Sequence, residues 1–187
     1  ITANMAAIYR RLTASANGTD AVQMAGGFLT ADRSWHFGEA GIPILVDGSL
    51  QIPTGVALEL EPGSQLRFWA NSGISVSGSL FALGSPTRPI TFTAQPQQPG
   101  VWQGLEVITG GSAILRNCDL AYAGQFGTAN LRITTDDVVL QGCKIHDGAG
   151  DGIQVSSEHP AIRQNQIYAN AGLGVRNPTL LYEVDVR

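Results

Sequence analysis

The sequence predicts an all-β fold, a right-handed single-stranded parallel β-helix: a solenoid of about seven coils with three short strands per coil. Its apolar pattern repeats every 24 residues between Asp47 and Ala94, so that Leu50, Ile52, Val56, Leu66 and Phe68 return as Ile74, Val76, Leu80, Ile90 and Phe92. The register continues to the C-terminal side, where Leu105, Leu131, Ile153 and Val175 follow at steps of 26, 22 and 22, and Leu115, Leu140 and Ile162 advance beside them by 25 and 22. Self-similarity at roughly 20 to 50 residues marks stacked repeats. The 23 glycines in 187 residues, set between short β-branched runs, suit a chain that turns three times per coil.

The first 45 residues are expected as an irregular first coil or cap, and 46–187 as the regular coils of a single domain, 1–187. At the N-terminus, Ile1, Asn4 and Ala6 repeat the spacing of Ile162, Asn165 and Ile167, as in the middle of a coil of something longer. An amphipathic capping helix through Met5, Ile8 and Leu12 is the alternative. Residues 25–45, with Trp35, His36 and Phe37, find no matched neighbour in the repeat. Next, Val56 to Leu60 alternates with Glu59 outward, as strand geometry demands. Gly55, Gly63, Gly78, Gly84, Pro53, Pro62 and Pro89 punctuate the strands as turn residues should. Gln95 to Gly100 breaks the period as a Pro/Gln loop before Trp102. Leu105 to Val107, Leu131 to Ile133, Ile153 to Val155 and the pair Val175 and Arg176 are then expected to stack as one parallel sheet. Crossovers between parallel strands are right-handed, and a spacing of roughly 4.8 Å per coil gives seven coils a rod of about 34 Å.

Composition excludes some functions. With 43% hydrophobic residues and mean hydropathy of +0.05 the chain reads as folded and soluble. A net charge of −4, with Lys144 the only lysine, offers no basic stripe to a phosphate backbone, so nucleic acid is not an expected partner. No apolar run of about 18 residues exists to span a membrane. Asn17-Gly18-Thr19 is a formal glycosylation sequon, and the Gly172 to Arg176 run lacks the strand-to-helix context of a nucleotide loop. Neither is carried further.

Gly55-Val-Ala-Leu-Glu-Leu-Glu-Pro-Gly63, Gln65 to Phe68, Ile74-Ser-Val-Ser-Gly-Ser-Leu80 and Pro89-Ile-Thr-Phe-Thr93 resemble the entry coils of bacterial right-handed parallel β-helix proteins of the pectin-lyase-like superfamily. The likeness covers roughly 46–175. It implies a secreted or cell-surface setting and a choice among polysaccharide lyases, glycoside hydrolases, adhesins and surface stalks. In similar proteins the pattern runs on beyond the point where Val184 to Arg187 end here, which reads as a fragment of a longer protein.

Several groups of residues are candidates for chemistry. Cys118, Cys143 and Asn165 hold the same place in consecutive repeats and should stack at one corner. There the Asn satisfies turn backbone and the cysteines remain free thiols or close a disulfide. Asp136 and Asp137 should lie one coil from Glu158 and His159. As paired carboxylates they could act as general acid and base; with Asp147 and Asp151 they could instead hold Ca²⁺ through oxygen ligands, or simply make solvated turns. The outward positions Glu106, Arg132, Gln154 and Arg176 form a candidate substrate-binding row, to which Trp102 is added; like Trp35, Trp102 is also suited to close a gap where the period breaks. Trp69, Tyr122, Phe126 and Tyr168 lie at or near turns where a ring could stack on a sugar.

Against the pattern of polygalacturonase-like hydrolases, only Asp136-Asp137 has a counterpart; His146 precedes Asp147, not Gly, and no Arg-Ile-Lys is present. For pectate-lyase-like elimination the chain offers Arg132 and Arg176 without a defined acidic ligand set. The expectation is therefore a non-catalytic, structural or adhesive module that binds a polysaccharide or cell-surface glycan. Flanking coils or domains of the same protein are its other partners, and no cofactor beyond a possible Ca²⁺ is expected. A polysaccharide lyase or glycoside hydrolase using the acidic residues beside the parallel sheet is the alternative.

Overall fold

The computed structural model describes residues 2–4, 13–39 and 41–178. Ile1, Met5, Ala6, Ile8, Leu12 and Val184 to Arg187, on which parts of the terminal readings rest, lie outside the described residues.

The chain winds as a parallel β-solenoid of about six turns, one fewer than the period suggested. Strands β1 (Val22–Phe28) and β2 (Arg33–Trp35) begin it, and β3 (Ile44–Ile52), β4 (Ala57–Leu60) and β5 (Gln65–Phe68) follow. Three full coils come next. They are β6 (Ile74–Val76), β7 (Ser79–Leu83) and β8 (Ile90–Ala94); β9 (Leu105–Val107), β10 (Ser112–Arg116) and β11 (Cys118–Ala121); and β12 (Ala129–Ile133), β13 (Val138–Gln141) and β14 (Lys144–His146). The last described turn is β15 (Asp151–Val155), β16 (Ala161–Arg163) and β17 (Gln166–Tyr168), after which β18 (Val175–Arg176) opens another. Like strands stack on like, giving three faces. Face one runs β3–β6–β9–β12–β15–β18, face two β2–β4–β7–β10–β13–β16, and face three β3–β5–β8–β11–β14–β17. Strand β3 serves two faces because it bends at Gly48, which has φ +94°. At the matching bend in β1, a Cβ on Gly26 would lie 2.6 Å from the Gly48 carbonyl carbon, so only glycine lets the two corners stack.

The predicted rows exist. Leu50, Ile74, Leu105, Leu131, Ile153 and Val175 pair successively on face one, and Leu115, Leu140 and Ile162 on face two. Their side chains fill one core that runs the length of the rod, each fully buried aliphatic contributing about 1.5–3 kcal/mol. Coverage by the next coil decides burial: Leu131 and Ile153 are fully buried, whereas Val175 on the last rung is 46% exposed.

Two details of the repeat need correction. Leu80 pairs with Leu58, not with Val56, and Leu66 and Phe68 pair with Phe92 and Ala94, not with Ile90 and Phe92. A two-residue slip keeps every side chain on its own side of the strand, so the apolar pattern alone could not reveal it. Ile90 instead stands beside Cys118 in the corner column. The stretch 25–45 is also not partnerless. Strand β1 pairs with β3 and β2 pairs with β4, and Trp35 and Phe37 are buried, ring edge to face at 6.4 Å.

Both ends of face three are kinked by left-handed residues in register. Asn117, Gly142 and Gln164 have φ of 47°, 65° and 55° before it, and Tyr122, Asp147 and Ala169 have 64°, 52° and 52° after it. Cys118, Cys143 and Asn165 stack at the first of these corners as expected: Asn165 Oδ1 accepts from the Cys143 amide at 2.9 Å and its Nδ2 donates to the Leu140 carbonyl at 3.0 Å. Both cysteines are free and buried.

Candidate functional site: a walled cleft on face one

The outward positions of face one form a single file, Gln51, Ser75, Glu106, Arg132, Gln154 and Arg176. Alternation along each strand forces this, since the inward neighbours belong to the aliphatic rows. The file thus unites four residues of the expected binding set. Arg132 Nη1 lies 3.1 Å from Glu106 Oε1. Arg176 grips Asp151 with two nitrogens, Nη2 at 3.2 Å from Oδ1, while the Leu173 amide donates to the same Oδ1 at 2.8 Å. Those bonds hold the Asp151 carboxyl below its ordinary range and raise the Arg176 guanidinium above its own.

The fifth member does not belong. Trp102 is fully buried, stacked on Phe68 with ring centroids 4.2 Å apart, and its Nε1 donates to the Ala121 carbonyl at 2.9 Å. An indole filling the core can spare its N–H only if a backbone acceptor lies beside it, and Ala121 supplies one. Trp102 therefore closes the gap left by the irregular 95–104 turn and presents no surface to the outward file.

Beside the file lies a cleft of about 280 Å³ on whose lining Ser75, Gln103, Glu106, Gln125, Phe126 and Arg132 appear. Its wall is the turn 122–128, which contains a short 3₁₀ segment at Gln125–Gly127. Bonds from neighbouring coils hold that turn. The Gln125 amide donates to the Trp102 carbonyl at 3.1 Å, Gln125 Nε2 to Asn71 Oδ1 at 2.9 Å, and Thr128 Oγ1 to the Gln103 carbonyl at 3.0 Å. Phe126 stands at its crest, 82% exposed, with φ 61°. A bulky residue in the left-handed region is strained, and the bonds that fix the turn hold this apolar ring in solvent beside the cleft.

Beneath the wall, Asn130 is fully buried. Its Oδ1 accepts from the Ala123 amide at 2.8 Å, and its Nδ2 donates to the His146 carbonyl at 3.2 Å and to Asn170 Oδ1 at 2.8 Å. Asn170 in turn accepts from the Gly148 amide at 3.0 Å and donates to the Ile145 carbonyl at 3.1 Å. Sequence reasoning missed both asparagines, along with Gln103 and Gln125. Phe126 was picked out only as one of several turn aromatics; its flanking glycines, Gly124 and Gly127, in a turn longer than those of later coils were the available signal.

The acidic candidates lie elsewhere. Asp136 and Asp137 follow β12, and Asp136 sits against the turn of the next coil that carries Glu158 and His159. Asp136 Oδ1 accepts from the His159 amide at 2.7 Å, which lowers its pKa, and His159 Nδ1 is 3.8 Å from Asp136 Oδ2. This is a solvated turn, with the His159 side chain 79% and the Glu158 side chain 78% exposed, and none of the four lines the cleft. Asp147 and Asp151 are at another corner, between β14 and β15, so the four aspartates named for Ca²⁺ are not brought together; among the described residues no group of three or more His, Cys, Asp or Glu side chains is placed to hold a metal. Asp147 instead joins Asp119 in bracketing His146, each carboxylate 2.8 Å from a ring nitrogen, while Tyr168 stacks on the imidazole at 4.8 Å. That cluster ties three coils together on face three.

Comparison with known proteins agrees with the fold and adds its hand. Residues 103–177 match a family model described as right handed beta helix region, in keeping with the likeness to pectin-lyase-like β-helices. The chain is 30% identical over 73 residues to Protein bark beetle of Drosophila melanogaster, a match covering 39% of this chain and 2% of that protein. No solved structure matches. No helix among the described residues is long and apolar enough to cross a membrane.

Proposed function

We propose that this β-helix is a non-catalytic binding module of a secreted or cell-surface protein, and that the face-one cleft holds a polysaccharide or cell-surface glycan. Flanking coils or domains of the same protein would be its other contacts. The observation that carries the reading is Phe126, an exposed ring held in a strained conformation over a cleft of about 280 Å³ floored by amide, hydroxyl and carboxylate groups. Sites for organic ligands combine an apolar surface with a few placed polar groups, and a sugar offers both a C–H face and a hydroxyl edge. Both arginines of the file are already paired with carboxylates, so the cleft suits a neutral glycan better than a polyanion.

The catalytic alternative has less support. Asp136, Asp137, Glu158 and His159 stand on an exposed turn away from the cleft, without the burial that tunes an acid and a base apart. A polysaccharide lyase or glycoside hydrolase would have to work from open solvent.

The test is affinity electrophoresis and calorimetry against a panel of neutral and acidic polysaccharides, with product release followed in parallel. One exposed ring contributes on the order of 0.5–1.5 kcal/mol, so Phe126→Ala should weaken binding of a neutral glycan roughly 2- to 12-fold with an unchanged circular dichroism spectrum. Repeating the assay with Ca²⁺ and with chelator should give the same affinity. No binding across the panel, or equal binding by Phe126→Ala, would refute the assignment; released product would favour the enzyme.

A further inference from the structure

Cys118 and Cys143 take no part in the cleft, yet the solenoid brings them together. Asp119 and Lys144, the residues that follow them, are register partners, so the two cysteines occupy adjacent rungs with backbones about 4.8 Å apart. That separation lies inside the roughly 4.4–6.8 Å that a disulfide spans between α-carbons. Both side chains point inward and are buried. The Cys118 amide donates to Cys143 Sγ at 3.4 Å; the neighbouring Cys143 thiol and burial raise the Cys118 pKa, while the neighbouring Cys118 thiol lowers that of Cys143 against the effect of its own burial. Above Cys118 opens a cleft of about 250 Å³ between Pro86, Pro89, Asn117, Gly142 and Lys144, wide enough for a small solute.

We propose that Cys118 and Cys143 form a cross-coil dithiol, a modification site that a small peroxide oxidises to a disulfide joining two successive turns of the solenoid. Cys118, which lines the cleft, gives up its proton and its sulfur attacks a peroxide oxygen. The O–O bond breaks, Cys118 becomes a sulfenic acid, and the departing hydroxide takes up that proton to leave as water. Cys143 sulfur, on the adjacent rung, then attacks the sulfenic sulfur, the S–O bond breaks, and the proton lost from Cys143 leaves with the hydroxyl as a second water. Two thiols and one hydrogen peroxide thus give one disulfide and two waters; the thiols are oxidised and the peroxide is reduced.

The experiment uses the whole reduced chain, treated with a modest excess of hydrogen peroxide and quenched with an alkylating agent in urea. Cleavage after Arg116, Arg132 and Lys144 puts the cysteines on separate peptides, 117–132 and 133–144. Expected is an intact mass lower by about 2 Da with those two peptides linked, formed at least tenfold faster in the folded chain than in chain unfolded in urea. Reduction should restore two alkylatable thiols, and Cys143→Ser should give no link. The inference is overturned if both peptides stay unlinked, if sulfinic or sulfonic acids accumulate instead, or if unfolded chain links as fast as folded chain. The comparison of folded and unfolded wild type does not depend on a variant that folds.

Discussion

Asn130 is the point at which the wall of the cleft is fastened to the rod, and its replacement by alanine has a cost that can be worked bond by bond. Removing the amide leaves the buried Ala123 N–H with no acceptor, a loss of about 1–3 kcal/mol. The other two partners are not orphaned. The His146 carbonyl keeps the Tyr122 amide at 3.4 Å, and Asn170 Oδ1 keeps the Gly148 amide at 3.0 Å, so those losses are only about 0.5–1.5 kcal/mol each. Asn130→Ala should therefore destabilise by about 4 kcal/mol, a large part of the 5–15 kcal/mol typical of a domain. The assay is urea unfolding followed by circular dichroism, with the slope unchanged and the midpoint lowered. Asn130→Asp sharpens the test, because it keeps an acceptor for Ala123 but turns an oxygen toward Asn170 Oδ1. Burial there raises the folded-state pKa of the introduced carboxyl above its unfolded value, so this variant should gain stability as pH falls through the folded value, and lose it again as pH rises. A midpoint change worth less than about 1 kcal/mol for Asn130→Ala, or a pH-independent Asn130→Asp, would show that the three bonds do not hold the corner.

Other substitutions separate packing from binding. Trp102→Phe loses the bond to the Ala121 carbonyl and leaves a void where the indole stacks on Phe68, and should cost about 2–4 kcal/mol in urea unfolding while leaving glycan affinity unchanged, since the ring is buried. In Gly78→Ala the new methyl would lie 2.2 Å from the Val56 carbonyl oxygen and 2.3 Å from that of Pro53; overpacking of this kind costs about 1–3 kcal/mol and should lower the calorimetric midpoint by several degrees. Asp151 has a depressed folded-state pKa because of Arg176 and the Leu173 amide, so its stabilisation is complete above the unfolded value of about 3.9 and is lost as pH falls through the folded value. Asp151→Asn should be less stable at neutral pH and show a flatter decline of thermal midpoint below about pH 4; an acid limb identical to wild type would refute the pairing.

The architecture was legible because coil stacking writes itself into sequence as a period, and the row from Leu50 to Val175 keeps near it at every rung but one, the step of 31 from Ile74 to Leu105 that spans the 95–104 turn. What the period could not convey was the alignment inside a coil. Between Leu50 and Ile74 the step is 24, but it is 22 from Leu58 to Leu80 and 26 from Leu66 to Phe92; the excess and deficit cancel around the turn, and strand alternation hides a slip of two. The site was half legible for a related reason. Glu106, Arg132, Gln154 and Arg176 were found because outward positions inherit the register of inward ones. Trp102 and Phe126 both sit in irregular turns, where no register exists, and only the core volume beneath Phe68 and the acceptor at Ala121 decide which ring goes in.

Both rings trace to one corner of the solenoid, the passage from face three to face one. There the connections run over residues 69–73, 95–104, 122–128, 147–150 and 169–174, so the two longest fall in consecutive coils. The first long turn sends its aromatic inward, where Trp102 fills the core and offers its carbonyl to the Gln125 amide. Because that carbonyl and Asn71 Oδ1 fix Gln125 from below, the second long turn cannot collapse onto the sheet, and Phe126 is left standing over Glu106 and Arg132. A solenoid tolerates such growth, since each coil answers only to its neighbours. The ring that was buried and the ring that is displayed are thus parts of one structure: shortening 95–104 should remove the support of Gln125 and, with it, the wall of the cleft.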